Sequence, residues 1–174
     1  MALSSCVSTP ETYGHFDGTI QSEWLSGDKA RKMKLLQGIS YTDPVGKEWD
    51  VPAGAEVDGA SIPRMLWSVI GSPFVGNYRN ASVVHDYYCD TRSESWQDTH
   101  RMFYHACLAN GTPLKQAKIM FVAVFAKGPR WGYGFNDPLA GVSDAEVEEL
   151  MQWAGENDAS LEDMEQQVLS KAGQ

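Results

Sequence analysis

Cysteine is scarce in this chain: Cys6, Cys89 and Cys107 are the three among 174 residues. So small and odd a number, with no CxxC spacing, argues against a disulfide framework and points to a reducing compartment. Long apolar runs are missing too. The strongest, Ile119 to Ala126, falls well short of the roughly 20 residues that cross a bilayer as a helix. Basic residues are few, 14 Lys and Arg against 23 Asp and Glu, and form no stripe interleaved with aromatics. Recognition of nucleic acid through phosphate neutralisation is therefore not expected. The first six residues carry neither a basic segment nor an apolar core, so as written they are not a signal peptide.

What is present suits one well-packed domain. Apolar residues make up 43%, including six Trp, seven Tyr and six Phe, enough to fill a single core. The net charge of −9 is unevenly spread: from Ser143 onward nine acids face the single Lys171. Residues 1–142 are thus nearly neutral, and 143–174 form an acidic tail that reads as a solvated helical appendage or a docking arm for a basic protein partner. The expected location is cytoplasmic. The alternatives are export as an effector or with a virion, and, because Leu3-Ser4-Ser5-Cys6 is similar to the end of a lipoprotein signal, a longer precursor lipidated at Cys6.

The first half reads as strands. Residues 19–25, 32–36 and 38–41 alternate in part, and Asp43-Pro44-Val45-Gly46 is a turn that returns Lys47 to Val51 as a partner strand. The second half reads as helices. Ser61-Ile62-Pro63 opens one over 64–70, and another runs from Tyr78 to about Cys89. Ser93 or Ser95 caps a third, with Trp96, His100, Phe103 and Cys107 on one stripe, until Asn110-Gly111 stops it. Thr112-Pro113 opens a fourth, apolar nearly all round and so central. A loop follows over Gly128 to Phe135. In the tail, Ser143 and Glu146 form a capping box, and a last helix spans Leu161 to Lys171. The fold class is α+β, a small N-terminal antiparallel sheet packed on a helical bundle.

Chemistry concentrates around Val84-His85-Asp86-Tyr87-Tyr88-Cys89. On a helix His85 and Cys89 share a face, while Asp86 is turned about a quarter of the circumference away. His85 suits a general base if an acceptor orients its other nitrogen, and Asp98 on the following helix is the candidate. With Asp86 and Asp58 it could instead hold a hard divalent cation such as Ca²⁺, Mg²⁺ or Mn²⁺. The bland alternative is a buried histidine bonded to a carboxylate for stability alone. Cys89 is either a nucleophile activated by the imidazole or a small buried apolar residue. Ser61, at a strand-to-helix junction after Asp58-Gly59-Ala60, could face substrate or cap a helix, and Arg130 could hold an anion. His100, beside Trp96 and Phe103, reads as a core histidine.

Trp49-Asp50-Val51-Pro52-Ala53-Gly54, Asp58 to Pro63, Ala81 to Tyr87, Asp98 and Gly128 to Trp131 together resemble the family named domain of unknown function 1353. The resemblance runs from about Met33 to Trp131. It implies a bacterial or phage setting, near mobile or tail-associated genes, and brings no activity with it. Cys89 departs from the Tyr of many members. The His-Asp helix is also similar to that of prokaryotic phospholipases of the secreted A2 type. That likeness implies that His85 activates water, Asp86 binds Ca²⁺ and Asp98 orients His85.

The resulting expectation is a hydrolase acting on a cell-envelope ester or amide. Its catalytic residues are His85 and Asp98, with Asp86 and Asp58 for a metal and Ser61 and Arg130 for substrate. The first alternative is a non-enzymatic phage or secretion-system interaction protein whose His-Asp network is buried. The second is a thiol peptidase or amidase using Cys89 with His85 or His100.

Overall fold

Six short strands and five α-helices make up the regular structure among the residues that the computed structural model describes: 13–29, 31–59, 61–63, 65–66, 76–134 and 136–172. The strands form two three-stranded antiparallel sheets rather than the one expected. In the first, β1 (His15–Asp17), β4 (Ile39–Thr42) and β5 (Glu48–Val51) lie in the order β1-β4-β5. In the second, β2 (Ser22–Trp24), β3 (Met33–Leu35) and β6 (Glu56–Val57) lie in the order β2-β3-β6. β3 and β4 are neighbours in sequence but do not pair, so the bend at Leu36 and Gln37 hands the chain from one sheet to the other.

The β4–β5 hairpin is set by Asp43. Its Oδ1 accepts the backbone N–H groups of Val45 and Lys47, at 3.0 and 2.9 Å, and its Oδ2 accepts the Trp49 indole N–H at 3.1 Å. Gly46, at φ +86°, closes the turn in the left-handed region that glycine tolerates best. Register then places Phe16 opposite Tyr41 and Tyr41 opposite Trp49. This aromatic row is the inner face of the sheet, and Trp49 meets Tyr88 edge-on at 4.9 Å.

That contact docks the sheet on α1 (Arg79–Thr91), which also touches β6. α1 is buried over Ala81 to Asp86 and again at Tyr88 and Cys89, because sheets cover one side and α2 (Trp96–Ala109) covers another. Ser95 caps α2 by accepting the Asp98 N–H, and Asn110 with Gly111 ends it, as the sequence implied. α3 (Leu114–Lys127) is central, packed between α2 and the pair α4 (Asp144–Glu156) and α5 (Leu161–Leu169). The helix expected over 64–70 falls mostly outside the described residues, as does Cys6.

The acidic tail is no loose appendage. Val147, Leu150, Met151 and Ala154 of α4 and Met164 and Val168 of α5 belong to the same core cluster as α3. Gly155 lets the helices close: a Cβ there would come within 3.1 Å of Ile119. Lys118 donates to the Asn157 carbonyl at 3.1 Å, Lys127 pairs with Asp144 at 2.9 Å, and Glu165 holds Arg101 of α2 through two bonds of 2.6 and 2.7 Å. The narrow apolar stripe suffices because α3 offers it a matching face.

Candidate functional site

His85 and Cys89 leave α1 on one face, one turn apart, toward α2. There the Trp96, His100 and Phe103 stripe points back at them, since both helices bury their apolar sides against each other. His85 Nε2 and His100 Nδ1 are 2.9 Å apart, a hydrogen bond that shares one proton. The Cys89 sulfur lies 3.6 Å from His85 Nε2 and 3.9 Å from Nδ1. The Phe103 ring sits 4.8 Å from that of His85. Both imidazoles have 0% exposure.

Burial dominates the electrostatics. It lowers the His85 pKa from its ordinary value to about 3, so the ring is neutral at physiological pH. His100 is also driven well below its ordinary value, first by burial and then by His85 and Arg130, with only the Pro129 backbone favouring its charged form. The Cys89 thiol is pushed up to about 12 by burial, a hydrogen bond from the Ser61 side chain opposing the shift. It is therefore a thiol at neutral pH, without the thiolate that a nucleophile needs.

Asp86, 1% exposed, points the other way, toward the segment after β6. Its Oδ2 accepts the N–H groups of Asp58 and Gly59 at 2.8 and 3.1 Å, and its Oδ1 accepts that of Ser61 at 3.2 Å. A carboxylate filled by three backbone donors anchors a loop; its lone pairs are not turned to a cation shared with Asp58. The role expected for Asp58 is thus taken by its main chain.

Asp98 does not reach His85. Its carboxylate accepts from Arg101 at 3.0 Å and lines a cleft of about 360 Å³ with Asp43, Lys47, Trp49, Arg101 and His105. The reason is angular: Asp98 and His100 are two positions apart on α2 and so cannot both face α1. Arg130 is likewise engaged within the fold. It pairs with Asp137 at 2.8 Å and donates to the Ala126 carbonyl at 2.7 Å, capping the C-terminal end of α3. Burial would raise the Asp137 pKa, but hydrogen bonds from Arg130 and the Leu139 N–H hold it below its ordinary value. Ser61 is 5% exposed and contacts Cys89 and Asp86, not solvent.

His100, expected as a core histidine or as an alternative base for Cys89, is the partner that His85 meets. Its place on the Trp96–Phe103 stripe was the available signal, because a histidine on the buried face of one helix must meet whatever the facing helix presents. Among the described residues, His85, Cys89 and His100 are the group whose ligand atoms could hold a metal, all within 4.8 Å of one another. Asp58, Asp86 and Asp98 are not part of it.

Two relatives, both from Sinorhizobium fredii, are uncharacterised proteins. One, y4jT, is 46% identical over 121 residues, covering 70% of this chain and 36% of its own length. The other, y4iH, is 39% identical over 133 residues, covering 76% and 55%. The chain thus spans between about a third and about half of these curated relatives. No solved structure matches it. The family described as protein of unknown function DUF1353 matches residues 33–124, from β3 through most of α3 and across the whole His85 cluster, and the chain belongs to that family.

Proposed function

We propose that this chain is a non-catalytic binding module, in which the His85 and Asp86 networks fix the fold and the acidic helices α4 and α5 face a basic protein surface. The observation that carries this reading is the complete burial of the His85 ring, whose nitrogens, among the described residues, meet His100 and Cys89. A general base must reach the water it activates, and here the imidazole has no solvent-facing surface. The hydrolase and thiol-enzyme readings both need an open approach to this turn. Two further facts support a module. The matching relatives are longer proteins, similar to this chain over only 36% and 55% of their own lengths, and Glu148, Glu149, Glu162 and Asp163 are exposed on the docked tail.

The test is an assay of the purified chain and its His85→Ala variant on phospholipid vesicles and on peptidoglycan, with and without Ca²⁺. Equal and negligible turnover by both is expected. Hydrolysis by the wild type that is lost in a folded His85→Ala protein would reject the module and restore the hydrolase.

A further inference from the structure

We propose that His85, Cys89 and His100 form a three-ligand binding site for a borderline-soft d-block cation of the zinc type. The inference goes beyond the module reading and does not depend on it. Two neutral imidazoles carry two protons on four ring nitrogens. His85 Nε2 and His100 Nδ1 share one of these protons across 2.9 Å, which leaves the pair mismatched elsewhere. His100 Nε2 is buried without a hydrogen-bond partner of good geometry. Among the described residues, His85 Nδ1 has the sulfur at 3.9 Å.

A cation between the rings gives the two inner nitrogens one shared partner. It takes the lone pairs of His85 Nε2 and His100 Nδ1, and the protons move to the outer nitrogens. The outer nitrogen of His100 then points its N–H toward the backbone of Pro129, the group that already favours a proton on this ring. A ligating histidine with its second N–H aimed at a main-chain carbonyl is the usual outer-shell arrangement. The Cys89 thiol proton leaves to solvent as the sulfur binds, so one proton is released per divalent ion.

The spacing of the sulfur from His85 agrees with this assignment. Tetrahedral bonds of about 2.1 Å to nitrogen and 2.3 Å to sulfur put N and S roughly 3.6 Å apart, and Cys89 Sγ is 3.6 Å from His85 Nε2. Two nitrogens on such an ion lie about 3.4 Å apart, so the rings must part by about half an ångström from their 2.9 Å contact. Ser61, hydrogen-bonded through its side chain to Cys89, adds a hydroxyl beside the sulfur. Two imidazoles and a thiol select zinc, cobalt or copper over Ca²⁺ and Mg²⁺, which prefer oxygen. Because the cluster is sealed between two helices, the ion would enter as the chain folds.

The experiment refolds the full chain with one equivalent of Co²⁺ or Zn²⁺. The expected result is a thiolate-to-cobalt charge-transfer band at one ion per chain, insensitive to excess Ca²⁺. X-ray absorption of the zinc form should show one sulfur and two imidazoles. The band should persist in Cys6→Ser and Cys107→Ser and vanish in Cys89→Ser. Affinity should fall at least about 100-fold in His100→Asn, at or beyond the upper end of what outer-shell changes cost. Absence of the band in the wild type, an all-oxygen coordination shell, or a band retained in Cys89→Ser overturns the proposal. The wild-type spectra decide the matter even if the Cys89 and His100 variants fail to fold.

Discussion

Asp86 shows how much one buried side chain can organise. Its two oxygens satisfy three N–H groups of one loop, and a buried donor left unpaired costs roughly 1–3 kcal/mol. Asp86→Asn replaces one acceptor by a donor that faces those same groups. We expect a loss of roughly 2 kcal/mol, read as a lower urea midpoint with an unchanged slope. The two histidines make a second residue-scale prediction. Both are depressed by burial, His85 to about 3, whereas unfolded imidazole titrates near 6.5. Below that value the unfolded chain binds the extra protons, so stability is fully present above pH 6.5 and is lost as pH falls toward 3. With chelator present, denaturant midpoints should drop between pH 7 and pH 5, by up to about 1.4 kcal/mol per histidine per pH unit. Midpoints that stay flat over this range would contradict neutral buried rings. Cys89, which faces the pair, keeps its proton throughout it, because burial pushes its thiol up to about 12.

At the scale of elements, the ends of helices were the most legible part of the sequence, because capping is local chemistry. Ser95, the Asn110-Gly111 stop and the Ser143–Glu146 box lie where their side chains can satisfy free backbone groups, whatever the rest of the molecule does. Arg130 was legible only as a cation on a stiff loop. In the fold it serves the end of α3 and is bound to Asp137. Arg130→Ala should therefore leave Asp137 half-buried and unpaired and the α3 carbonyls uncapped, at a cost of roughly 3 kcal/mol. Thermal unfolding would register the loss, and restoration to wild-type stability by the double change with Asp137→Ala would show how much of it is the stranded carboxylate. The His85 neighbourhood was half-legible: spacing put His85 and Cys89 on one face, but Asp98 was expected as the partner across the helix pair, and the structure places His100 there.

For the whole molecule, the docking of α4 and α5 on α3 makes residues 143–172 part of the core rather than an accessory. Burying a large apolar side chain is worth about 1.5–3 kcal/mol. Val147, Leu150, Met151, Met164 and Val168 together thus approach the total stability of an ordinary domain, about 5–15 kcal/mol. A chain ending at Val142 should lose cooperative unfolding and bind a hydrophobic dye. A sharp, dye-free transition in that fragment would show that the acidic helices are dispensable. Charge composition alone had suggested a solvated tail, since exposed acids are conspicuous in sequence and the few apolar residues among them are not.

The sequence by itself determined the helices from Arg79 onward, four of the six strands, the turn at Asp43, the helix caps and the concentration of reactive side chains around His85, because these follow from contacts between residues a few positions apart. Only the tertiary structure decided what those side chains meet. Spacing fixes which residues share a face, but the rotation of one helix against another selects the partner, and here that rotation gave His85 to His100 and Cys89, Asp86 to a loop backbone, and Asp98 to a separate cleft.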